Sequence, residues 1–137
     1  MSPFGVAMTL ILFVALYPTL APWASTLEGK LRPVVTDVEI VRTEATPDGL
    51  FVYVTFEKII PCEFVSLNFY DPTGKQVRPD FDPNSDYPLA GITRPVGEAV
   101  AGPWLLPNVH TLEGGRFVAI HECHKLWHTT TQFWPQR

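Results

Sequence analysis

The chain has few charged residues, and none of them precedes Glu28. Charged residues make up only 18% of its 137 positions, and the net charge is −4. Proteins that bind phosphate backbones normally carry clustered Lys and Arg, so the composition argues against a nucleic-acid partner. G-x-S-x-G, H-E-x-x-H and a convincing pair of carboxylates are also absent. Ser66, Asp71 and His121 are present, but their spacing does not bring them together. We therefore predict a non-enzymatic protein without a cofactor.

Cysteine is scarce, with two residues, whereas proline is abundant, with 14. Prolines interrupt helices and central strands. Hydrophobic residues reach 46%, which is enough to form a core and argues against low-complexity disorder. Many Val, Phe, Thr and Tyr residues lie between the prolines, and this pattern predicts short strands joined by irregular loops. No long helix is predicted after residue 30.

The N-terminal segment, residues 2–25, is uncharged and apolar. Its densest part, residues 6–17, predicts a helix that Pro18 ends or kinks. A spanning helix needs about 20 apolar residues, and a shorter run is typical of a signal-peptide core. An uncleaved anchor and a cleaved signal therefore both remain open, beside a buried core helix as the plain alternative.

We assign residues 1–27 to a membrane anchor or signal segment that contacts the membrane through residues 4–24. Lys30 and Arg32 follow the apolar run, and the positive-inside rule alone would leave the following domain in the cytoplasm. The cysteine count and the strand-rich composition favour export instead. We therefore expect an exported domain in the bacterial periplasm or cell envelope, either membrane-anchored or in a cleaved secreted form.

Residues 28–137 are predicted to form one β domain. Turn signals at residues 46–49 and 71–75 separate segments with strand character. The strand that begins at residue 97 is expected to break at Pro103. The expected fold class is all-β: a small immunoglobulin-like or related β-sandwich, preceded by one N-terminal hydrophobic helix. The predicted strands cover residues 34–43, 50–59, 62–71, 75–79, 97–108, 116–124 and 126–134.

Cys62 and Cys123 lie at the start and near the end of predicted strands. Two cysteines in an exported β domain usually pair, so we predict a disulfide that stabilises the fold by about 4 kcal/mol. The immunoglobulin signature is otherwise incomplete. No tryptophan follows Cys62 at the required distance, and His121 stands where a tyrosine-corner residue would be. The immunoglobulin likeness is therefore one of shape alone.

A metal or redox site is the competing interpretation of the C-terminal region. Cys123, His128 and Gln132 have a spacing typical of the last loop of blue-copper proteins, and His110 would have to supply the further histidine. A free Cys123 thiol would also be a candidate nucleophile. A disulfide and a thiolate site exclude each other at Cys123. The low-probability metal candidates are His121, Cys123, His124 and His128.

Residues 80–86 resemble the start of a calcium loop, because oxygen-bearing side chains occupy alternate positions. Ser85 stands where such a loop has glycine, and Gly91 stands where it has glutamate. We therefore predict a solvated acidic loop. The four side chains concerned are Asp80, Asp82, Asn84 and Asp86.

Tryptophans are concentrated in the last third of the chain. In a β domain they are most often core residues, but they also suit an apolar edge presented to a partner or to the bilayer surface. We assign a possible protein partner to such a Trp-rich edge, formed by Trp104, Trp127 and Trp134.

Three segments carry a resemblance to a known group of proteins: "CEFVSLNFYDPTGKQV", "TRPVGEAVAGPWLLP" and "HECHKLWHTTTQFWP". Together with the N-terminal apolar segment, residues 34–135 resemble uncharacterised small membrane-associated β-domain proteins of tailed bacteriophages and bacterial (prophage) genomes. The most specific part is H-x-C-H-x-L-W at residues 121–127. The resemblance implies a compact β domain tied by Cys62 and Cys123, with a role in the bacterial envelope.

The expected function is thus a non-enzymatic, membrane-anchored or exported accessory or binding domain, of phage origin if the resemblance holds. One alternative is a copper-type metal or redox protein that uses the histidine cluster. The other is a single-helix accessory subunit of a larger membrane complex.

Overall fold

A computed structural model describes residues 2–81 and 93–136. In this part of the chain, one helix, α1 (Pro3–Leu31), precedes eight strands. The strands are β1 (Val35–Thr46), β2 (Gly49–Lys58), β3 (Glu63–Tyr70), β4 (Gln76–Val77), β5 (Asp80–Phe81), β6 (Gly97–Pro107), β7 (Arg116–Glu122) and β8 (Thr129–Trp134). The predicted β-sandwich preceded by one N-terminal helix is confirmed.

The strands form two antiparallel sheets of four, with the orders β1-β2-β6-β5 and β4-β3-β7-β8. Hairpins join β1 to β2, β3 to β4 and β7 to β8, whereas the chain crosses between the sheets after β2, β4 and β6. Alternate side chains of β2 and β6 point inward, as the period of a half-buried strand requires. The largest fully buried side chains are Phe69, Phe117, Leu106, Val34, Val35, Val52 and Val54.

The turn predicted at residues 46–49 forms the hairpin between β1 and β2. The Thr46 hydroxyl accepts a hydrogen bond from the Gly49 amide (3.2 Å) and donates one to the Gly49 carbonyl (3.0 Å). Gly49 has φ +154°, and a Cβ there would lie 2.1 Å from the Leu106 carbonyl oxygen. Only glycine fits this contact between the turn and β6.

The prediction that the strand breaks at Pro103 is wrong, because β6 pairs with β2 on both sides of the proline. The register shifts between Val52 and Val54, so two residues of β6, Gly102 and Pro103, stand opposite one residue of β2. Such a bulge is where a sheet accepts a residue without an amide N–H. Gly102 (φ +115°) lets the backbones approach here, since a Cβ would lie 2.5 Å from the Val52 carbonyl oxygen.

Pro18 was expected to end or kink the helix; it does not end it, because α1 continues through Pro18 and Pro22 to Leu31. Its N-cap is Ser2, whose hydroxyl accepts from the Gly5 amide (3.2 Å). The Thr19 hydroxyl donates to the Leu16 carbonyl and the Thr26 hydroxyl to the Pro22 carbonyl, so both polar side chains are satisfied within the helix.

α1 is long and apolar enough to cross a membrane. Its 29 residues correspond to a length of about 43 Å, and nearly all its apolar side chains are exposed. A helix of this kind is compatible with a membrane anchor or a signal sequence. It runs past the predicted segment boundary at residue 27, and its last turns pack against β8.

Candidate functional site

The predicted disulfide between Cys62 and Cys123 is confirmed, with the two Cα atoms 4.6 Å apart. Glu63 pairs with Glu122 in the β3–β7 ladder, so the bridge continues that ladder by one position. It joins neighbouring strands of one sheet, unlike the inter-sheet bridge of immunoglobulin domains. The bridge is compatible with export.

The alternatives that used a Cys123 thiol are therefore corrected. A sulfur held in a disulfide supplies neither a thiolate ligand nor a nucleophile. Among residues 2–81 and 93–136, no group of three or more His, Cys, Asp and Glu side chains is arranged to hold a metal ion. Of the calcium-loop residues, Asp80 lies in β5, and Asp82, Asn84 and Asp86 lie outside the described residues.

The histidines of the cluster occupy three different surroundings. His121 lies in β7 with its side chain buried, and burial together with the charge of Lys58 lowers its pKa to about 4. His124 lies in the β7–β8 loop (residues 123–128) and contacts α1, whereas His128 is exposed. The three side chains therefore do not converge on one ligand.

The closest contact between α1 and the sandwich uses small side chains. Ala21, Ser25 and Gly29 are spaced by four residues, so they share one face of the helix. The Ser25 and Thr130 hydroxyls lie 2.7 Å apart. A Cβ on Gly29 would lie 1.8 Å from the Thr130 carbonyl oxygen. Glycine at this position thus lets the helix backbone touch β8.

Three polar side chains, Glu28, His124 and Trp127, join the same end of α1 to the β7–β8 loop. We call them the clamp. Glu28 Oε2 accepts from Trp127 Nε1 (2.6 Å) and lies 3.0 Å from His124 Nε2. His124 Nδ1 accepts from the Leu126 amide (3.3 Å), so Nε2 is the protonated nitrogen and donates to Glu28. The carboxylate thus holds both loop side chains against the helix.

A further contact lies nearer the start of α1, where the Tyr17 hydroxyl donates to the Leu126 carbonyl. The loop therefore reaches along the helix from Glu28 to the level of Tyr17. At its tip, the side chains of Lys125 and Leu126 are exposed.

The three tryptophans predicted to form a partner-binding edge occupy separate positions. Trp104 is only 4% exposed and packs against Phe81, Phe117 and Phe133, so its expected place on a binding surface is corrected to the core. Trp134 is half-buried against Phe117, and Trp127 belongs to the clamp.

The clamp and the small face of α1 were missed by reasoning from the sequence. The available signal was Glu28, the first charged residue after a long apolar run. Its partners lie more than 90 residues away along the chain, and no local pattern connects them.

No protein-family model, curated protein or solved structure matches this chain.

Proposed function

We propose that this protein is a non-enzymatic, membrane-anchored accessory or binding domain whose sandwich lies on the exported side of a membrane. The observation that carries the proposal is α1, an exposed apolar helix that continues without interruption into a disulfide-linked sandwich. A bilayer core is about 30 Å thick, so a helix of about 43 Å leaves its last turns outside for docking to β8.

The docked end of α1 supports a retained anchor over a cleaved signal. Ser25, Glu28 and Gly29 contact the sandwich and belong to the same helix as the apolar segment. Cleavage after residue 24 would leave only about two turns of helix, and it would remove Tyr17 from its contact with the loop. Ser25, Glu28 and Gly29 would remain after such a cleavage, but a helix of about two turns is marginal by itself, so the segment before residue 25 supports the docked end of α1.

The β7–β8 loop would then lie at the membrane surface. Its contact with Tyr17 leaves Pro3–Leu16 below it, about 21 Å of helix, which is shorter than a typical hydrocarbon core of about 30 Å. The exposed Leu126 would thus enter the outer part of the hydrocarbon layer, and the long Lys125 side chain would extend from there to the headgroups. The exposed Trp23, about 30 Å along the helix from Pro3, lies at the outer boundary of the core and suits the aromatic belt there.

We infer from the disulfide on which side of the membrane the domain lies. Lys30 and Arg32 would draw the domain to the cytoplasmic side, but a Cys62–Cys123 bridge persists in oxidising compartments and is rare in the cytosol. We therefore place the domain in the bacterial periplasm or cell envelope. The resemblance to small phage-encoded membrane proteins extends this proposal to an accessory role in the envelope of an infected or lysogenic cell.

Membrane extraction and protease access test this proposal in a bacterial host. The wild type and a Leu12→Ala control should resist alkaline carbonate, whereas Leu12→Arg, with a charge in the apolar helix, should be released into the soluble fraction. Protease added to spheroplasts should digest the sandwich. Wild-type protein in the soluble fraction, or a sandwich protected until the inner membrane is broken, would overturn the proposal.

A second candidate is an accessory subunit of a larger membrane complex, because one face of α1 is not covered by the described part of the chain. Leu20, Trp23, Leu27 and Leu31 are exposed, and they recur every three or four residues on one helix face. Leu27 and Leu31 lie beyond the proposed span, where lipid would not cover them. Cross-linking from position 27 in native membranes should give a discrete larger species, and recovery of only the monomer would refute this candidate.

A further inference from the structure

One face of α1 lies away from the sandwich and carries a regular apolar repeat. Six positions, spaced alternately by four and three residues, are apolar or aromatic: Phe13, Tyr17, Leu20, Ala24, Leu27 and Leu31. The same spacing reaches back through Leu10 to Val6. We call these eight residues the seam. All of them except Ala24 are exposed, and two apolar positions in every seven residues are typical of helices that pack along each other.

The sandwich occupies a different side of the helix. A helix turns by about 100° per residue, which places Leu27 and Leu31 about 160° and 120° away from Ser25, the middle of the small face. Pro18 and Pro22 lie about 140° and 180° away from Leu31. A second helix can therefore lie along the seam without displacing the sandwich and without meeting either proline ring.

The outer end of the seam borders an apolar groove. Ala24, Leu27 and Leu31 of α1 line this groove together with Trp127 of the β7–β8 loop. Leu27 is 42% exposed and Leu31 is 77% exposed. They lie about 36 Å and 42 Å along the helix from Pro3, beyond a hydrocarbon core of about 30 Å. Lipid tails do not reach them there, so a protein partner that takes them out of water would be stabilised.

The continuity of the seam identifies the occupant. The same repeat runs through the bilayer-embedded turns and the outer turns of α1, so the partner is a helix that crosses the same boundary of the bilayer. A second copy of α1 offers the same residues at the same depth. A two-fold axis along the membrane normal brings Leu27 and Leu31 against their counterparts and keeps both sandwiches on one side of the membrane. The seam contains no charged residue, and Glu28 is turned to the loop by its contacts with Trp127 and His124, so like charges do not oppose the pairing.

We propose that α1 pairs in parallel with α1 of a second copy along the seam, with Leu27 and Leu31 excluded from water at the outer end of the dimer. This inference rests on the proposed membrane anchor and names the partner of its uncovered face. Within the bilayer the apolar side chains gain little hydrophobic free energy from pairing, because lipid tails are equally apolar. Most of the stabilisation therefore comes from the outer turns, where Leu27 and Leu31 leave water.

Site-directed cross-linking in native membranes tests this inference. Both native cysteines are held in the disulfide, so an introduced cysteine is the only reactive thiol. Leu27→Cys and Leu31→Cys, treated with a short bismaleimide, should each give a species of twice the mass of the chain. Thr26→Cys is the matched control, because Thr26 is exposed at nearly the same depth and faces about 140° away from Leu31. It should give several-fold less of this species.

A charge in the seam gives a second, independent measurement. Two differently tagged copies of the chain are co-expressed, and the fraction that co-purifies is measured. Leu27→Glu in both copies should lower this fraction at least about tenfold, because burial of one leucine alone contributes about a factor of ten or more. Thr26→Glu should leave it unchanged. Both positions are exposed, so neither substitution disturbs the core of the sandwich.

Three outcomes would overturn the inference. Equal cross-linking from positions 26 and 27 would mean that the copies meet only by random collision. A cross-linked species of another mass would mean that a different protein covers the seam. Monomer alone would mean that the helices do not pair. Carbonate extraction of the same membranes separates this inference from the proposed anchor: a chain that resists extraction but stays monomeric contradicts the pairing alone, whereas a chain that is released contradicts the anchor and the pairing together.

Discussion

Replacing Gly29 with alanine tests the contact between α1 and the sandwich. The added Cβ would lie 1.8 Å from the Thr130 carbonyl oxygen and 2.6 Å from its carbon. Both are backbone atoms and cannot rotate away, so the helix end must move by roughly 1.6 Å to reach the 3.4 Å of an ordinary contact. That movement would also stretch the 2.7 Å hydrogen bond between Ser25 and Thr130.

Overpacking of this kind costs about 1–3 kcal/mol. The intrinsic helix preference of alanine over glycine, about 1 kcal/mol, acts in the opposite direction, so a net loss means that the clash outweighs it. Each 1 kcal/mol lost should lower the Tm by about 4 °C or more in a domain of this size. The assay is thermal unfolding of the full-length protein in detergent.

Gly5→Ala is the matched control, because it lies in the same helix and its Cβ would meet only the Ser2 hydroxyl at 3.5 Å. We expect the Tm of Gly5→Ala to equal or exceed that of the wild type. If Gly29→Ala unfolds at the same temperature as Gly5→Ala, the helix does not pack on β8 as closely as described, and the reasoning about the junction is refuted.

Three further predictions concern the clamp, the disulfide and the buried histidine. Glu28→Ala should lower the free energy of unfolding by about 1–3 kcal/mol, because the Trp127 indole loses its acceptor. Denaturant titration measures this loss. The control Glu113→Ala, at an exposed position, should leave the free energy of unfolding unchanged. Replacing Cys62 and Cys123 with serine opens a loop of 61 residues and should cost about 4 kcal/mol in the same assay, whereas an unchanged midpoint would mean that the bridge is not formed. The pKa of His121 is lowered from 6.5 to about 4, so the unfolded chain binds the proton more tightly, and stability should fall by up to about 3 kcal/mol as the pH drops from 6.5 towards 4. His121→Phe should remove that part of the pH dependence, and identical pH profiles for the variant and the wild type would contradict the assignment.

Strand positions were predictable because burial on one face imposes a period of two on the residues. The predicted segment 116–124 contains β7, and the segment 126–134 contains β8. The pairing of the cysteines was also predictable, since the only two cysteines of a β domain that is expected to be exported usually pair. The position of the bridge, between neighbouring strands of one sheet, was not predictable, because sheet order depends on contacts between distant segments.

The errors at Pro18 and Pro103 have a common cause. Both predictions applied a local rule about proline, and in both places the surrounding structure accommodates the ring. The helix α1 continues through Pro18 to Leu31, and in β6 a bulge removes the need for an amide donor at Pro103. The contact of Glu28 with Trp127 spans 99 positions, and neither residue type predicts the other. Trp104 was expected either at an edge or in the core. The packing of the two sheets buries it in the core, and the sequence alone does not specify that packing.

Intact-mass spectrometry of the protein isolated from membranes, with and without reduction and alkylation, tests the central claim that a retained helix anchors an exported, disulfide-linked sandwich. We expect the mass of a chain that keeps residues 1–24, with no label before reduction and two labels after it. A mass that lacks residues 1–24 would show that the helix is cleaved, and two labels without reduction would show that the Cys62–Cys123 bridge is not formed. Either result would contradict the claim.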